Sequence, residues 1–356
     1  MHIKNRVLII ANDLKNGGVE RVLSVLANHM ADSGFDVWFL AIASPSISYP
    51  LSTKVHYKYV PIIKIYKRVS LFKEFSIMKK ISKEMKVINP EWVIGFDDSI
   101  IIRSIPSAWI QKRKILVSER IDPSIYGFAM RRIRQICYDM ARHVVFQTED
   151  AKMYFPKRTQ KKSVVIPNPL SKNLPARSNT INKDIIMAGR LREQKNVALA
   201  IESFSLFWQT HRDYRLVIYG EGEQLEMLKE IAIKKGVENN VLFPGHIDNI
   251  HEKMSSCSMY LSTSNYEGIS NSMLEALAIG VPSICTDCPV GGARMFIKNN
   301  FNGILVPVGD SASIAKSMEM IADNAAFSST LSKNAASIKS VLDSDIICEK
   351  WEKLIC

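Results

Sequence analysis

Two carboxylates eight positions apart, Glu267 and Glu275, bracket a glycine-bearing loop and a helix start in Tyr266-Glu267-Gly268-Ile269-Ser270-Asn271-Ser272-Met273-Leu274-Glu275. Ser270 or Asn271 can cap a helix whose buried stripe is Met273, Leu274, Leu277 and Ala278. The free backbone amides from Gly268 to Asn271 then face an anion. Glu267 on the loop can accept hydrogen bonds from a polyol such as a sugar, and Glu275, about one turn into the helix, can reach a ribose attached to that anion. A second segment, Gly189-Arg190-Leu191-Arg192-Glu193-Gln194-Lys195-Asn196, sets the cations Arg190 and Lys195 at the mouth of a helix that Asn196 can cap. A guanidinium fork and an ammonium point charge suit a diphosphate; the alternative is a pair of solvated surface charges.

Three more segments carry residues able to do chemistry. Lys15-Asn16-Gly17-Gly18 offers a paired glycine through which backbone can approach a ligand, or simply a tight strand-to-helix turn. Gly220-Glu221-Gly222-Glu223 is G-x-G without the third glycine, and its carboxylates are poor neighbours for a pyrophosphate, so a turn into a helix is expected. Ser118-Glu119-Arg120-Ile121-Asp122-Pro123 follows a strand, where a buried Glu and Arg are costly unless paired or used. Asp343-Ser344-Asp345 is a D-x-D, but it precedes a helical stretch and is expected to cap it rather than bind a metal. Cys285 and Cys288 form a C-x-x-C with no second pair or histidines at ligand spacing, so a structural role is expected.

The elements that must position these residues read as short apolar runs alternating with helical patterns. Strands are expected at 6–10, 35–42, 55–60, 91–96, 114–118, 143–147 and 163–166, and after residue 183 at 184–189, 214–220, 241–245, 259–263, 281–286 and 303–308. Helical stretches lie near 71–87, 98–110, 125–141, 149–155 and 196–211. Near-continuous apolar strands between helices imply parallel sheets covered on both faces. Periodicity fails at 169–183, where Pro, Ser, Asn and Lys take over. The expected organisation is therefore α/β: a domain over 1–168, a linker over 169–183, a domain over 184–340, and a C-terminal helix over 341–356 packing back toward the first domain.

In its 356 residues, 47 Lys and Arg face 35 Asp and Glu, and the excess is one-sided. Residues 1–168 hold 28 basic and 14 acidic residues, whereas 169–356 hold 19 and 21. A basic half admits nucleic acid, an anionic membrane or a phosphorylated substrate. Only Val7 to Ala11 is apolar near the start, too short for a secretory signal, and no window approaches a transmembrane span. With six scattered cysteines, a cytosolic, reducing compartment is expected.

GGVER near the start, IPNP at the linker, GRLREQKN, GEGEQLEMLK and YEGISNSMLEALAIGVPSICTDCPVGG together resemble the retaining glycosyltransferases of family four, over about residues 6–325. The resemblance implies the GT-B architecture, two facing Rossmann-like domains with a cleft between them, and a nucleotide-sugar donor without metal or other cofactor. It implies that Arg190 and Lys195 hold the donor diphosphate and stabilise the leaving nucleotide, aided by the amides of Gly268, Ile269, Ser270 and Asn271. Glu267 would then meet sugar hydroxyls, Glu275 the ribose, and Gly17 and Gly18 the donor from the facing domain, while His246 and Ile247 fall where the nucleobase is contacted. Many members carry a histidine where this chain has Ser118-Glu119-Arg120; a subgroup that builds bacterial surface polysaccharides has a similar Ser-Glu-Arg followed by Asp-Pro. Glu119 is therefore a candidate catalytic position by place, its chemistry open. Other readings are a nucleotide-sugar epimerase of GT-B shape and a non-catalytic subunit of a glycan-assembly complex.

Residues 54–86 contain ten Lys and Arg against Glu74 and Glu84. Leu71, Phe75, Met78, Ile81 and Met85 form a stripe at helical spacing, with Lys73, Lys79, Lys80, Lys83 and Lys86 mostly off it. Such a helix rests on anionic lipid or packs its stripe on its own sheet. Arg131, Arg132 and Arg134 are expected to extend the same charged surface. With no nucleic-acid module in sight, the expected partners are an anionic membrane and a lipid-diphosphate-linked saccharide at the inner face of the cytoplasmic membrane.

Overall fold

The computed structural model describes residues 4–15, 17–61 and 71–356, the side chains of Lys4, Leu71, Phe72 and Lys73 excepted. Asn16 and the side chains of Leu71 and Lys73, named above, lie outside the described residues, as do Lys64, Lys67 and Arg68 of the basic 54–86 stretch. The chain forms two compact units, residues 1–169 with 344–356, and residues 170–343.

The first unit is a seven-stranded parallel sheet in the order β3-β2-β1-β4-β5-β6-β7. Its strands are β1 (Lys4–Ala11), β2 (Phe35–Ala41), β3 (His56–Tyr59), β4 (Trp92–Phe96), β5 (Lys114–Ser118), β6 (His143–Phe146) and β7 (Ser163–Val165). The apolar runs read from the sequence lie in these strands, and Val7 to Ile10, Val93, Ile94, Leu116 and Val144 to Phe146 are fully buried. Parallel strands demand crossover helices, here α1 (Gly18–Asp32), α2 (Leu71–Ile88), α3 (Asp98–Ile110), α4 (Phe128–Met140), α5 (Glu149–Met153) and α6 (Lys157–Lys161). Of the two readings of α2, its packing favours the sheet: Ile77, Ile81, Met85 and Ile88 are buried, whereas Phe75 is 72% exposed.

The second unit is a six-stranded parallel sheet, order β10-β9-β8-β11-β12-β13. It comprises β8 (Asp184–Ala188), β9 (Arg215–Tyr219), β10 (Val241–Gly245), β11 (Met259–Ser262), β12 (Ser283–Thr286) and β13 (Ile304–Val306). Its helices are α7 (Val197–Phe207), α8 (Leu225–Lys234), α9 (Ile250–Ser256), α10 (Asn271–Ile279), α11 (Ser311–Asp323), α12 (Ala325–Ala335) and α13 (Ile338–Val341).

The stretch expected as a linker is held within this unit. The Leu170 N–H donates to the Leu342 carbonyl at 3.0 Å, Ser178 N–H to Ser255, and the Arg177 guanidinium to the carbonyls of Met254 and Ser255, both at 3.1 Å. These bonds come from backbone N–H groups and a single arginine side chain. The last helix, α14 (Ser344–Glu352), belongs to the first unit. Its Trp351 is buried against Phe96, ring centroids 5.2 Å apart, and its Asp345 and Glu352 lie 3.1 and 3.2 Å from the ring nitrogens of His29 on α1. Among the described residues no helix is long and apolar enough to cross a membrane.

Candidate functional site

In each sheet the strand order reverses once, between β1 and β4 and between β8 and β11. Such reversals open a crevice outside the carboxyl ends of the strands. In the second unit β8 pairs directly with β11, which brings the loop after β8, holding Lys195, against the loop after β11, holding Glu267, although 72 positions separate them. The Lys195 ammonium donates to both Glu267 oxygens, at 2.7 and 2.6 Å, and Ser264 Oγ donates to Oε2 at 3.0 Å. Both charged side chains are half-buried, at 13% and 18% exposure.

The two loops are stitched together by short polar side chains. The Thr263 hydroxyl bonds to the carbonyls of Lys195 and Asn196 at 3.0 and 2.9 Å, and the Asn265 amide donates to the Glu193 carbonyl at 2.9 Å. Asn196 donates to Asn265 Oδ1 at 2.9 Å while its own Oδ1 caps α7 at Leu199 N. Its φ of +46° is a left-handed conformation that asparagine tolerates better than most residues. Ser270 caps α10, and Ser272 bonds to Tyr260 at 2.8 Å and to the Ala188 carbonyl at 3.1 Å, fixing the start of α10 to β8 and β11. The amides of Gly268 and Ile269 thus sit in the loop beside Glu267, with Ser270 and Asn271 opening the helix.

Glycines let these loops meet. A Cβ on Gly220 would lie 1.9 Å from the Gly189 carbonyl oxygen, and one on Gly222 would lie 2.3 Å from that of Leu191. The G-x-G therefore serves close backbone packing against the Arg190 loop. A Cβ on Gly292 would lie 1.6 Å from the Gly268 oxygen.

Glu275 is buried elsewhere on the same helix. Its Oε1 accepts from Ser171 Oγ at 3.1 Å, and its Oε2 lies 3.0 Å from His251 Nε2. Neither partner stood out in the sequence: Ser171 lies in the polar stretch taken as a linker, and His251 comes four residues after Ile247 with no motif around it. Arg190 is exposed on the loop after β8; His246, after β10, is exposed and 3.6 Å from Asp248; Ile247 is half-buried. Cys285 and Cys288 are buried free thiols; burial pushes Cys285 well up and Cys288 to about 11, so both are inert at neutral pH.

The first unit holds Gly17 and Gly18 at the start of α1. Its Glu119 and Arg134 differ from expectation. Arg134 is 1% exposed, not on the charged surface: with Cys137 and Tyr138 it forms the inner face of α4. It bonds to Asp98 at 2.6 Å and to Glu119, and two carboxylates waiting inside outweigh the desolvation of one guanidinium. Glu119 is 3% exposed; Tyr138 donates to its Oε2 at 2.8 Å, and the N–H groups of Arg120 and Ile121 reach its Oε1. With every oxygen taken by protein donors, Glu119 has the place of an interior anchor rather than of a reacting group. Burial pushes its carboxyl up to about 7, opposed by Arg134 and reinforced by Asp98. Arg120 bonds to Asn168 at 2.7 Å and stacks on Phe96 at 4.2 Å, and burial lowers its guanidinium to about 9. Among the described residues no group of three or more His, Cys, Asp and Glu is placed to hold a metal ion.

Two parallel-sheet Rossmann-like units, with a cation and carboxylate cluster at the switch point of the second, make this a protein of the GT-B fold. The structure of Anabaena HepE in complex with UDP and glucose matches it with a TM-score of 0.83 over 98% of each chain, at 17% identity. Residues 175–338, within the second unit, match the family model of glycosyl transferases group 1. Full-length relatives include an uncharacterized glycosyltransferase of Haemophilus influenzae, 24% identical over 95% of this chain and 96% of its own length. Another, from Campylobacter jejuni, is GalNAc-alpha-(1->4)-GalNAc-alpha-(1->3)-diNAcBac-PP-undecaprenol alpha-1,4-N-acetyl-D-galactosaminyltransferase, 25% identical over 98% of both chains.

Proposed function

We propose that this protein is a retaining, metal-independent glycosyltransferase that moves a hexose or N-acetylhexosamine from a UDP-sugar to a lipid-diphosphate-linked saccharide in bacterial surface polysaccharide synthesis. The observation that carries the reading is the Lys195–Glu267 pair at the β8–β11 switch point, beside the amides of Gly268 to Asn271. An ammonium has three donors and Glu267 takes two, so Lys195 keeps one for a phosphate oxygen. As the sugar–phosphate bond breaks, charge grows on the leaving diphosphate, and Lys195, Arg190 and the α10 amides stabilise it where it develops. Glu267, oriented by Lys195 and Ser264, accepts from sugar hydroxyls. Glu275, held by Ser171 and His251, accepts from the ribose, and His246 and Ile247 meet the base.

The UDP and glucose in the Anabaena structure and the undecaprenol diphosphate in the Campylobacter protein's name support these choices of donor and acceptor. The basic first half suits an acceptor whose diphosphate sits at an anionic membrane surface. A panel of UDP-, GDP- and ADP-sugars tests the donor by thermal shift, since a ligand bound only by the folded chain raises its melting temperature. A rise with UDP-sugars alone is expected, and a rise with GDP- or ADP-sugars alone overturns the UDP assignment.

A further inference from the structure

The face of α4 turned away from the sheet is apolar as well as basic. Phe128 is 74% exposed, Ile136 56% and Ile133 42%, and at 100° per residue they share one side of the helix with Arg132, whose guanidinium lies 5.1 Å from the Phe128 ring. Scattered exposed apolar residues need no explanation, but three on one helical face, with Ile125 exposed just before it, do. The opposite face is pinned inward by Arg134 to Asp98 and Glu119, so α4 cannot roll to hide them.

Charge decides what covers this face. α4 packs on α3 and α3 on α2, so the three helices form one layer over the sheet. Lys79, Lys80, Lys83, Lys86, Arg131 and Arg132 on α2 and α4 are exposed and have no carboxylate partner among the described residues. The nearby carboxylates are spoken for: Glu74 pairs with Arg103, Glu84 with Lys58, and Asp139 with Arg158. At the end of α3, Trp109 and Ile110 are also exposed. Two copies meeting through this layer would set like charges against each other, whereas an anionic bilayer offers phosphates to the cations and acyl chains to the apolar side chains.

We infer that the outward face of α4, through Phe128, Ile133 and Ile136, is the element that inserts into an anionic membrane surface, with the α2 lysines supplying the electrostatic attraction. This deepens the reading of a lipid-linked acceptor, and its test uses neither donor nor acceptor, so each can fail alone. The purified full chain is sedimented with vesicles of phosphatidylcholine alone and of phosphatidylcholine with phosphatidylglycerol in equal parts. Binding to the anionic vesicles at least about tenfold above the neutral ones, weakening with salt, is expected. The triple variant F128S/I133S/I136S should lose about tenfold in binding with an unchanged melting temperature. A second variant, K79Q/K80Q/K83Q/K86Q, should lose the preference for anionic vesicles. Wild-type-like binding by the triple variant overturns the inference, as does a wild-type dimer that the triple variant dissolves without any vesicle binding.

Discussion

Glu275 sits between Ser171 and His251 with its carboxylate already oriented, so its removal should strip one charged hydrogen bond from a bound ribose and leave the diphosphate contacts in place. Glu275→Ala is expected to raise donor KM by about tenfold or more, with a much smaller effect on kcat, measured by steady-state kinetics. Glu119 gives a prediction of opposite kind. The folded chain holds its proton up to about pH 7, whereas an unfolded glutamate titrates near about 4.3. Its contribution to stability is therefore fully present below that lower value and is lost as pH rises toward 7. Glu119→Gln keeps the neutral form throughout, so its stability relative to wild type should climb between pH 4 and 8 in parallel melts, and a flat difference contradicts the assignment. The placement of Glu267 on a loop and Glu275 on the helix after it was readable in the sequence because a glycine and a helix-capping serine stand between them. Arg134 was misplaced because Arg131, Arg132 and Arg134 look alike until the carboxylates of Asp98 and Glu119 are seen beneath one of them.

At the scale of elements, the site depends on loops that touch backbone to backbone. Gly292→Ala would drive a Cβ into the Gly268 carbonyl and must displace the loop that carries Glu267. Thermal shift with UDP should vanish in this variant. Ser270→Ala, which removes only the cap of α10, should lower stability by about 1 kcal/mol and weaken UDP binding modestly. Equal UDP response in Gly292→Ala and wild type would mean that the loop does not hold the nucleotide. The strands were readable because buried parallel strands are near-continuous runs such as Val7 to Ile10. The pairing of β8 with β11 was not, since nothing local in either segment reports which strand lies beside it. The 169–183 stretch misled for a related reason: its bonds to α9 and to Leu342 use backbone groups and one arginine, which composition does not reveal.

Across the whole molecule the chain returns to its first unit after completing the second, and α14 closes the core around Phe96. Trp351→Ala should cost about 3–5 kcal/mol in the stability of that unit, seen as a lowered melting transition. The uneven charge of the sequence has a structural address on α2 and α4, while the nearly neutral second half carries the local Lys195–Glu267 cluster proposed to meet a diphosphate. The central claim is that the Lys195–Glu267 pair is where the donor reacts. Its most direct test is the rate of sugar transfer to an undecaprenyl-diphosphate-linked saccharide at saturating UDP-sugar, for wild type, Lys195→Ala and Glu267→Ala. Both variants are predicted to lose at least about a hundredfold in kcat while remaining folded, and near-normal turnover in both would contradict the account.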